Sequence, residues 1–266
     1  MEGLLVHIEG IGWWSPGIPD WDSAAAALRS GSPLPVEDAS AKPAAAVLAP
    51  GERRRAPAQV LLACEVAAQA CAMAGRDAAE VPALFSSAHG DIAISDAICT
   101  TLASDPLALS PTRFHNSVHN AQSGYWTVAT QCHAPSSAVS AWYGSFAAGL
   151  LEAGVEALAD DTPVLFAASD ATAHGALADV IPAAASFGVA LLLSPTRGPR
   201  TRASLRLRHE AQAAAPEPTS PAQQALAETT PVANALPLFA LLAQGQPGTV
   251  RLPNGRAGTL VIEVLA

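Results

Sequence analysis

The sequence predicts an α/β fold, with a parallel-rich central sheet covered by helices on both faces. Short, uniformly apolar runs such as PALFSSAHG, TPVLFAASD and SFGVALLLSP have the length of buried strands. Long Ala- and Leu-rich segments with helix start and stop residues lie between them. Half of the 266 residues are hydrophobic and 14% are charged, which excludes a disordered chain and supports a large core. The mean hydropathy of +0.26 is high for a soluble monomer. Ala-rich helices account for part of it, and a large apolar interface would account for the rest.

LLVHIEGIGWWSPG alternates as a strand to Gly10 and then reads as a loop through Trp13 and Trp14. DWDSAAAALRSG has an N-cap candidate at Asp20 or Asp22 and a glycine stop, hence a short helix. Residues 31–50 are rich in Pro and Ala and predict a surface loop. The clearest helix is 57–75, with proline at its start and glycine at its end. It is apolar nearly all round, which implies burial on several sides. PALFSSAHG predicts a strand, and DIAISDAICTTLAS the helix after it. SPTRFHNSVHNAQSGYWTVATQC reads as a loop entering a helix over 116–130.

APSSAVSA predicts a short buried strand, YGSFAAGLLEAGVEALA a long helix, and TPVLFAASD another buried strand. SFGVALLLSP and SLRLRHE read as a strand pair with Arg206 and Arg208 on the wet face. Residues 212–231 predict a Pro/Ala-rich linker, and ANALPLFALLAQG and GTLVIEVLA a closing helix and strand. There is no fixed-period repeat. No apolar run is long enough for a bilayer span, and the acidic N-terminus has no signal-peptide pattern, so a cytoplasmic chain is expected. A net charge of −9 argues against nucleic acid or an anionic membrane as partner.

Several chemistries lack their residues. There is no GxGxxG or GxxxxGK[ST] phosphate loop, and no cofactor is expected. The nearest approach to a GxSxG elbow, YGSFA, has Ala147 in place of the second glycine, so Ser145 reads as a first-turn helix residue. His115 and His119 stand four apart but lack a third ligand, which makes hydrogen bonding to backbone the better reading, with no metal. Cys64, Cys71, Cys99 and Cys132 are scattered, with no disulfide framework. Cys132 and His133 are adjacent and would point to opposite faces of a strand. His89 and Asp91 could act as base and orienter, as could Ser145 as a nucleophile in a stand-alone acyltransferase or hydrolase. A capping role for His89 and Asp91 is favoured.

Taken in order, the helix after ERRRAP, the strand ending SSAHGD, SPTRFHNSVHNAQSGYW and APSSAVSAWYGSFAAGLLEA resemble the N-terminal half of a β-ketoacyl synthase of the thiolase fold. Ser110, Pro111, Asn120 and Gly124 match a segment of the type S-P…N-x-x-x-G. Ala134, Pro135, Val139, Ser140 and Ser145 match the family's strand-elbow-helix motif, and its cysteine nucleophile falls on Tyr143. The resemblance implies a layered α/β/α architecture with a mixed central sheet and a truncated second half. Residues 1–195 would be the ketosynthase-like domain and 196–266 a remnant of the C-terminal half, LPNGRAGTLVIEV being a vestige of its Gly-rich turn and strand.

The family needs a thiolate and two histidines. A phenol with a pKa near ~10 does not replace the thiolate, and His174 and His209 lie in no matching motif. The resemblance therefore implies a chain-length-factor type subunit, without catalysis of its own, of the kind found in aryl polyene type II systems. It would pair with an active ketosynthase and shape its acyl tunnel. Ile92, Ser95 and Cys99 on the helix after AHGD, together with Arg113, Phe114, Asn120, Trp142 and Tyr143, are the implied tunnel or interface residues. Acyl carrier protein would dock mainly on the partner. Arg53 to Arg55, or Arg197, Arg200, Arg202, Arg206 and Arg208, could assist, although solvated surface charge is the plainer reading.

Overall fold

The computed structural model describes residues 3–36, 42–173, 175–181, 183–211, 220–255 and 258–265. Its strands are β1 (Leu4–Trp14), β2 (Ala83–Ser86), β3 (Ser136–Val139), β4 (Val164–Asp170), β5 (Phe187–Ser194), β6 (Ala203–Glu210), β7 (Gly248–Asn254) and β8 (Gly258–Leu265). Its helices are α1 (Trp21–Ser30), α2 (Pro50–Arg55), α3 (Ala58–Ala74), α4 (Ile92–Ser104), α5 (Pro111–Asn116), α6 (Ala121–Thr130), α7 (Ser145–Ala159), α8 (Pro221–Ala227) and α9 (Leu236–Gln244). No helix among the described residues is long and apolar enough to cross a membrane.

All eight strands form one mixed sheet in the order β3-β2-β4-β5-β1-β6-β8-β7. Only β2 makes parallel pairs, with β3 and with β4. Every other neighbouring pair is antiparallel, which corrects the parallel-rich expectation. Strands β5 and β6 are not partners either. β1 lies between them and pairs with both, as the chain's N-terminus inserts into the middle of the sheet. Arg206 and Arg208 do face solvent, with Leu205 and Leu207 turned inward.

Trp13 and Trp14 are the end of β1, not a loop. A register shift between Ile8 and Gly10 interrupts the alternation, and burial on both faces hides the strand pattern beyond it. Trp13 enters the core on the side of α1, α7 and α9, where it meets Phe187 edge-on at 4.8 Å and Phe239 at 5.8 Å. Trp14 packs on the opposite side with α3 and α6. Close approach of α3 demands glycine on β1. A Cβ at Gly10 or Gly12 would overlap the Ala70 or Val66 carbonyl.

The helix ends follow their sequence signals. Asp20 caps α1, accepting a hydrogen bond from Ser23 N at 2.8 Å, and Gly31 ends it in the left-handed region. Gly75 ends α3 in the same way. Three expectations change. The segment 110–130 forms two helices, α5 and α6, because Ser110 and Pro111 start a helix of their own. Part of the expected 212–231 linker is α8 and a 3-10 turn at Pro231–Ala235, while 212–219 lie outside the described residues. Strand β7 was not expected, and β3 is a half-exposed edge strand instead of a buried one.

Candidate functional site

The corner between β3 and α7 is built by short-range hydrogen bonds. Ser145 Oγ accepts from Ala141 N at 2.9 Å and donates to the Trp142 carbonyl at 2.7 Å, consistent with a structural first-turn serine. Gly144 N closes the turn on the Ala141 carbonyl at 2.9 Å. Trp142 carries a φ of 53°, a left-handed conformation that a bulky side chain rarely adopts. The backbone strain thus falls on Trp142, one residue before Tyr143. Such strain persists only where the surroundings over-determine the turn. Here Asn234 Nδ2 donates to the Tyr143 carbonyl at 2.9 Å, and the end of β7 presses on Gly144 so closely that a Cβ there would overlap Gly255 N.

Both aromatic side chains remain open to solvent, Trp142 at 48% and Tyr143 at 45%. Their rings meet edge-on at 5.7 Å, and the His89 ring stands edge-on to Trp142 at 4.4 Å. Burial lowers the pKa of His89, and its Nε2 has no hydrogen-bond partner among the described residues. Asp91 does not orient His89. Its Oδ1 accepts from Ile94 N at 3.0 Å and caps α4, as expected of it.

Beneath the corner lies a carboxylate that the sequence reading missed. Asp170, at the end of β4, is fully buried and accepts from Ala88 N at 2.8 Å, Ser87 Oγ at 2.9 Å, Val232 N at 3.2 Å and Thr230 Oγ1 at 3.3 Å. Ser87 Oγ in turn accepts from Gly90 N, and the Ala88 carbonyl accepts from Ser140 Oγ at 3.0 Å. One acid therefore ties the turn after β2, the corner and the 230–232 turn together. Burial pushes it up to about 6 although four donors favour its charged form.

The remaining candidates scatter around this centre. Ile92 is buried with Ala173 and Ala183, Ser95 Oγ donates to the Asp91 carbonyl at 3.2 Å, and Cys99 is exposed. Arg113 and Phe114 project from α5, Phe114 being 62% exposed, and Asn120 precedes α6 without capping it through its side chain. His119 Nε2 reaches the Ser87 carbonyl at 3.5 Å, which fits the backbone-bonding reading, while His115 is exposed. Among the described residues no group of three or more His, Cys, Asp or Glu could hold a metal. Cys132 is a core residue whose Sγ lies 3.5 Å from the Val81 carbonyl, and His133 points to solvent.

The arginines are largely engaged. Arg53 donates to the Ala44 carbonyl, Arg55 pairs with Glu52, Arg202 donates to the Glu9 carbonyl, Arg206 pairs with Glu263 and Arg208 with Glu210. Arg54, Arg197 and Arg200 are exposed. His209 accepts from Asn254 Nδ2 at 3.1 Å; His174 lies outside the described residues.

Of the four thiols, burial pushes Cys64 and Cys71 up to about 12, and only Cys99 is exposed. Under native conditions at pH 8 a thiol-specific reagent should therefore label one cysteine quickly, and Cys99→Ser should remove that fast phase. A fast phase surviving in Cys99→Ser would show that the core opens.

Solved structures with this architecture are numerous. A chain of the ketosynthase ApeO in complex with its chain length factor ApeC, from Xenorhabdus doucetiae, superimposes with a TM-score of 0.71 at 22% identity, covering 98% of this chain and 99% of that one. The ishigamide ketosynthase/chain length factor gives 0.70 at 15% identity, over 97% and 98%. The type II polyketide assembly AntDE:AntF, an acyl-carrier protein in complex with its ketosynthase bound to the hexaketide, gives 0.77 at 9% identity over all of both chains. These likenesses establish the layered, mixed-sheet ketosynthase fold of the thiolase type. No curated protein matches the sequence. The model for the β-ketoacyl synthase N-terminal domain matches residues 26–251, and the chain belongs to that family.

Proposed function

We propose that this chain is a non-catalytic, chain-length-factor-like subunit that pairs with an active β-ketoacyl-[acyl carrier protein] synthase and shapes its acyl tunnel, in aryl polyene or related fatty acid or polyketide synthesis. The observation that carries this reading is the β3–α7 corner. Where the family's motif would place a cysteine, Trp142 and Tyr143 stand side by side, half-exposed, next to an open edge strand. Phe114 on α5, Val118 in the turn between α5 and α6, and Val128 on α6 are further exposed apolar residues. Exposed apolar groups gathered at one edge of a sheet mark an interface.

In this reading the partner supplies the thiolate and the histidines, and receives the acyl carrier protein. Trp142 and Tyr143 fill the corner, and Ile92, Ser95, Cys99, Arg113, Phe114 and Asn120 contribute to the tunnel wall or the interface. A cytoplasmic setting belongs to the same proposal. The test is co-expression with a ketosynthase encoded beside it. A stable 1:1 complex with condensing activity that Tyr143→Phe leaves intact is expected. A well-behaved monomer with no affinity for that partner would sink the proposal, as would thioester turnover by this chain alone.

A further inference from the structure

The outer edge of β3 is open, and the orientation of its backbone fixes what a second strand would meet there. The Pro135 and Val139 carbonyls accept from Ala83 N and Ser87 N on the β2 side, so Ser136 and Ala138 direct their N–H and C=O groups outward. Ser137, between them, points to the face that carries α7, where its hydroxyl donates to Glu156 Oε1 at 3.1 Å. Glu156 is the middle of a row of acids one turn apart, Glu152, Glu156 and Asp160, the last of them capping the end of α7. Burial pushes the Glu156 carboxyl up, the Ser137 hydroxyl pulls it back, and the like charges of Glu152 and Asp160 raise it further. Among the described residues no Lys, Arg or His forms an ion pair with any of the three. Val155, 44% exposed, stands beside them on the helix.

We propose that this edge rejects a second copy of the chain and accepts a different subunit, one that sets a Lys or Arg side chain against Glu156. The inference rests on pairing through the β3 edge and names the chemistry of the occupant. Two copies joined by a two-fold axis would pair β3 with β3 antiparallel. Because Ser136 and Ala138 carry the outward groups, Ser136 of each copy bonds Ala138 of the other, and Ser137 falls opposite Ser137. Such a pair exchanges no hydrogen bonds and lies about 4.5 Å apart at Cα, with both side chains on one face. The two Glu156 carboxylates, each tied to its serine, then meet across one strand spacing, with Glu152 and Asp160 of both helices around them. Like charges directly opposite in a sheet are destabilising, and a half-buried setting screens them less than open water does. A cation on the other chain makes the same contact favourable. One row of acids thereby excludes the self-pair and selects the partner.

Sedimentation velocity of the full chain at pH 8 reads the self-pair. The wild type should stay monomeric at micromolar concentration. Glu156→Gln, which keeps an acceptor for Ser137, should self-associate about tenfold more tightly. Wild type mixed with Glu156→Lys should pair more tightly than wild type with itself. With the co-expressed ketosynthase the sign reverses. There Glu156→Lys should weaken the complex about tenfold or more, and raising the salt from about 0.05 to about 0.5 M should weaken the wild-type complex. A tight wild-type dimer, or a Glu156→Gln chain that self-associates no better than the wild type, would overturn the proposal. So would a ketosynthase complex that Glu156→Lys leaves undiminished, a result that keeps the pairing but moves its selection elsewhere.

Discussion

Asp170→Ala is expected to lower the stability of the fold by about 3–5 kcal/mol, because each buried donor left without its acceptor costs about 1–3 kcal/mol. The carboxylate is the acceptor for two backbone N–H groups, of Ala88 and Val232, that have been carried out of water. Alanine leaves both unsatisfied, together with the hydroxyls of Ser87 and Thr230. Urea unfolding of the two proteins at pH 7 measures the difference, and a shift below about 1 kcal/mol would mean that these donors find other partners.

The same group gives the fold a pH dependence of defined sign. In the unfolded chain the carboxyl titrates near ~3.9; in the folded chain it is pushed up to about 6. Below pH 4 both states are protonated. Between about 4 and 6 the folded state holds the extra proton, so this group's contribution falls as pH rises, by about 3 kcal/mol in all. The groups facing the carboxylate, from Ser87, Ala88, Thr230 and Val232, are neutral, so no second charge cancels the trend. Asp170→Asn does not titrate and sets an amide against backbone donors. The stability gap between wild type and Asp170→Asn should therefore narrow from pH 4 to pH 6, and a constant gap would contradict the burial argument.

Asp170 also marks the limit of what the chain discloses before folding. Elements with punctuation at both ends were legible: Asp20 and Gly31 around α1, Pro57 and Gly75 around α3, and Asp91 before α4 all act where they stand. So was the β3–α7 corner, whose serine and small residues fold through local contacts. Asp170 was not, because its four donors come from residues 87–88 and 230–232, brought together only by the sheet. The one local signal was an acid closing an otherwise apolar buried strand, VLFAASD. Sheet order was equally hidden. Nothing in SFGVALLLSP or SLRLRHE announces that the first strand of the chain will separate them, since strand pairing is a long-range property. Motif matching placed the family's nucleophile on Tyr143, whereas the strained backbone is a property of Trp142 that only coordinates reveal.

Ala138→Pro is expected to weaken complex formation with the partner ketosynthase by about 30- to 150-fold while leaving the fold intact. β3 is an edge strand with β2 on one side. The Pro135 carbonyl accepts from Ala83 N and the Val139 carbonyl from Ser87 N, so the odd-numbered residues turn their backbone toward β2. In a strand, alternate residues face opposite sides, and Ser136 and Ala138 therefore present their N–H and C=O groups to the open edge. Proline at 138 deletes a donor that β2 does not use, as edge strands tolerate, and its ring blocks the approach of another strand. If the subunits join sheet to sheet through β3, loss of that donor removes central ladder bonds, and two or three such bonds at about 1 kcal/mol each amount to the stated factor. Analytical ultracentrifugation of the co-expressed pair reads the association, and urea unfolding of the variant alone, expected within about 1 kcal/mol of wild type, checks the fold. Undiminished pairing of the Ala138→Pro chain would move the interface off this edge and onto the exposed apolar residues of α5, α6 and the turn between them, where Phe114→Ala, Val118→Ala and Val128→Ala would then carry the loss.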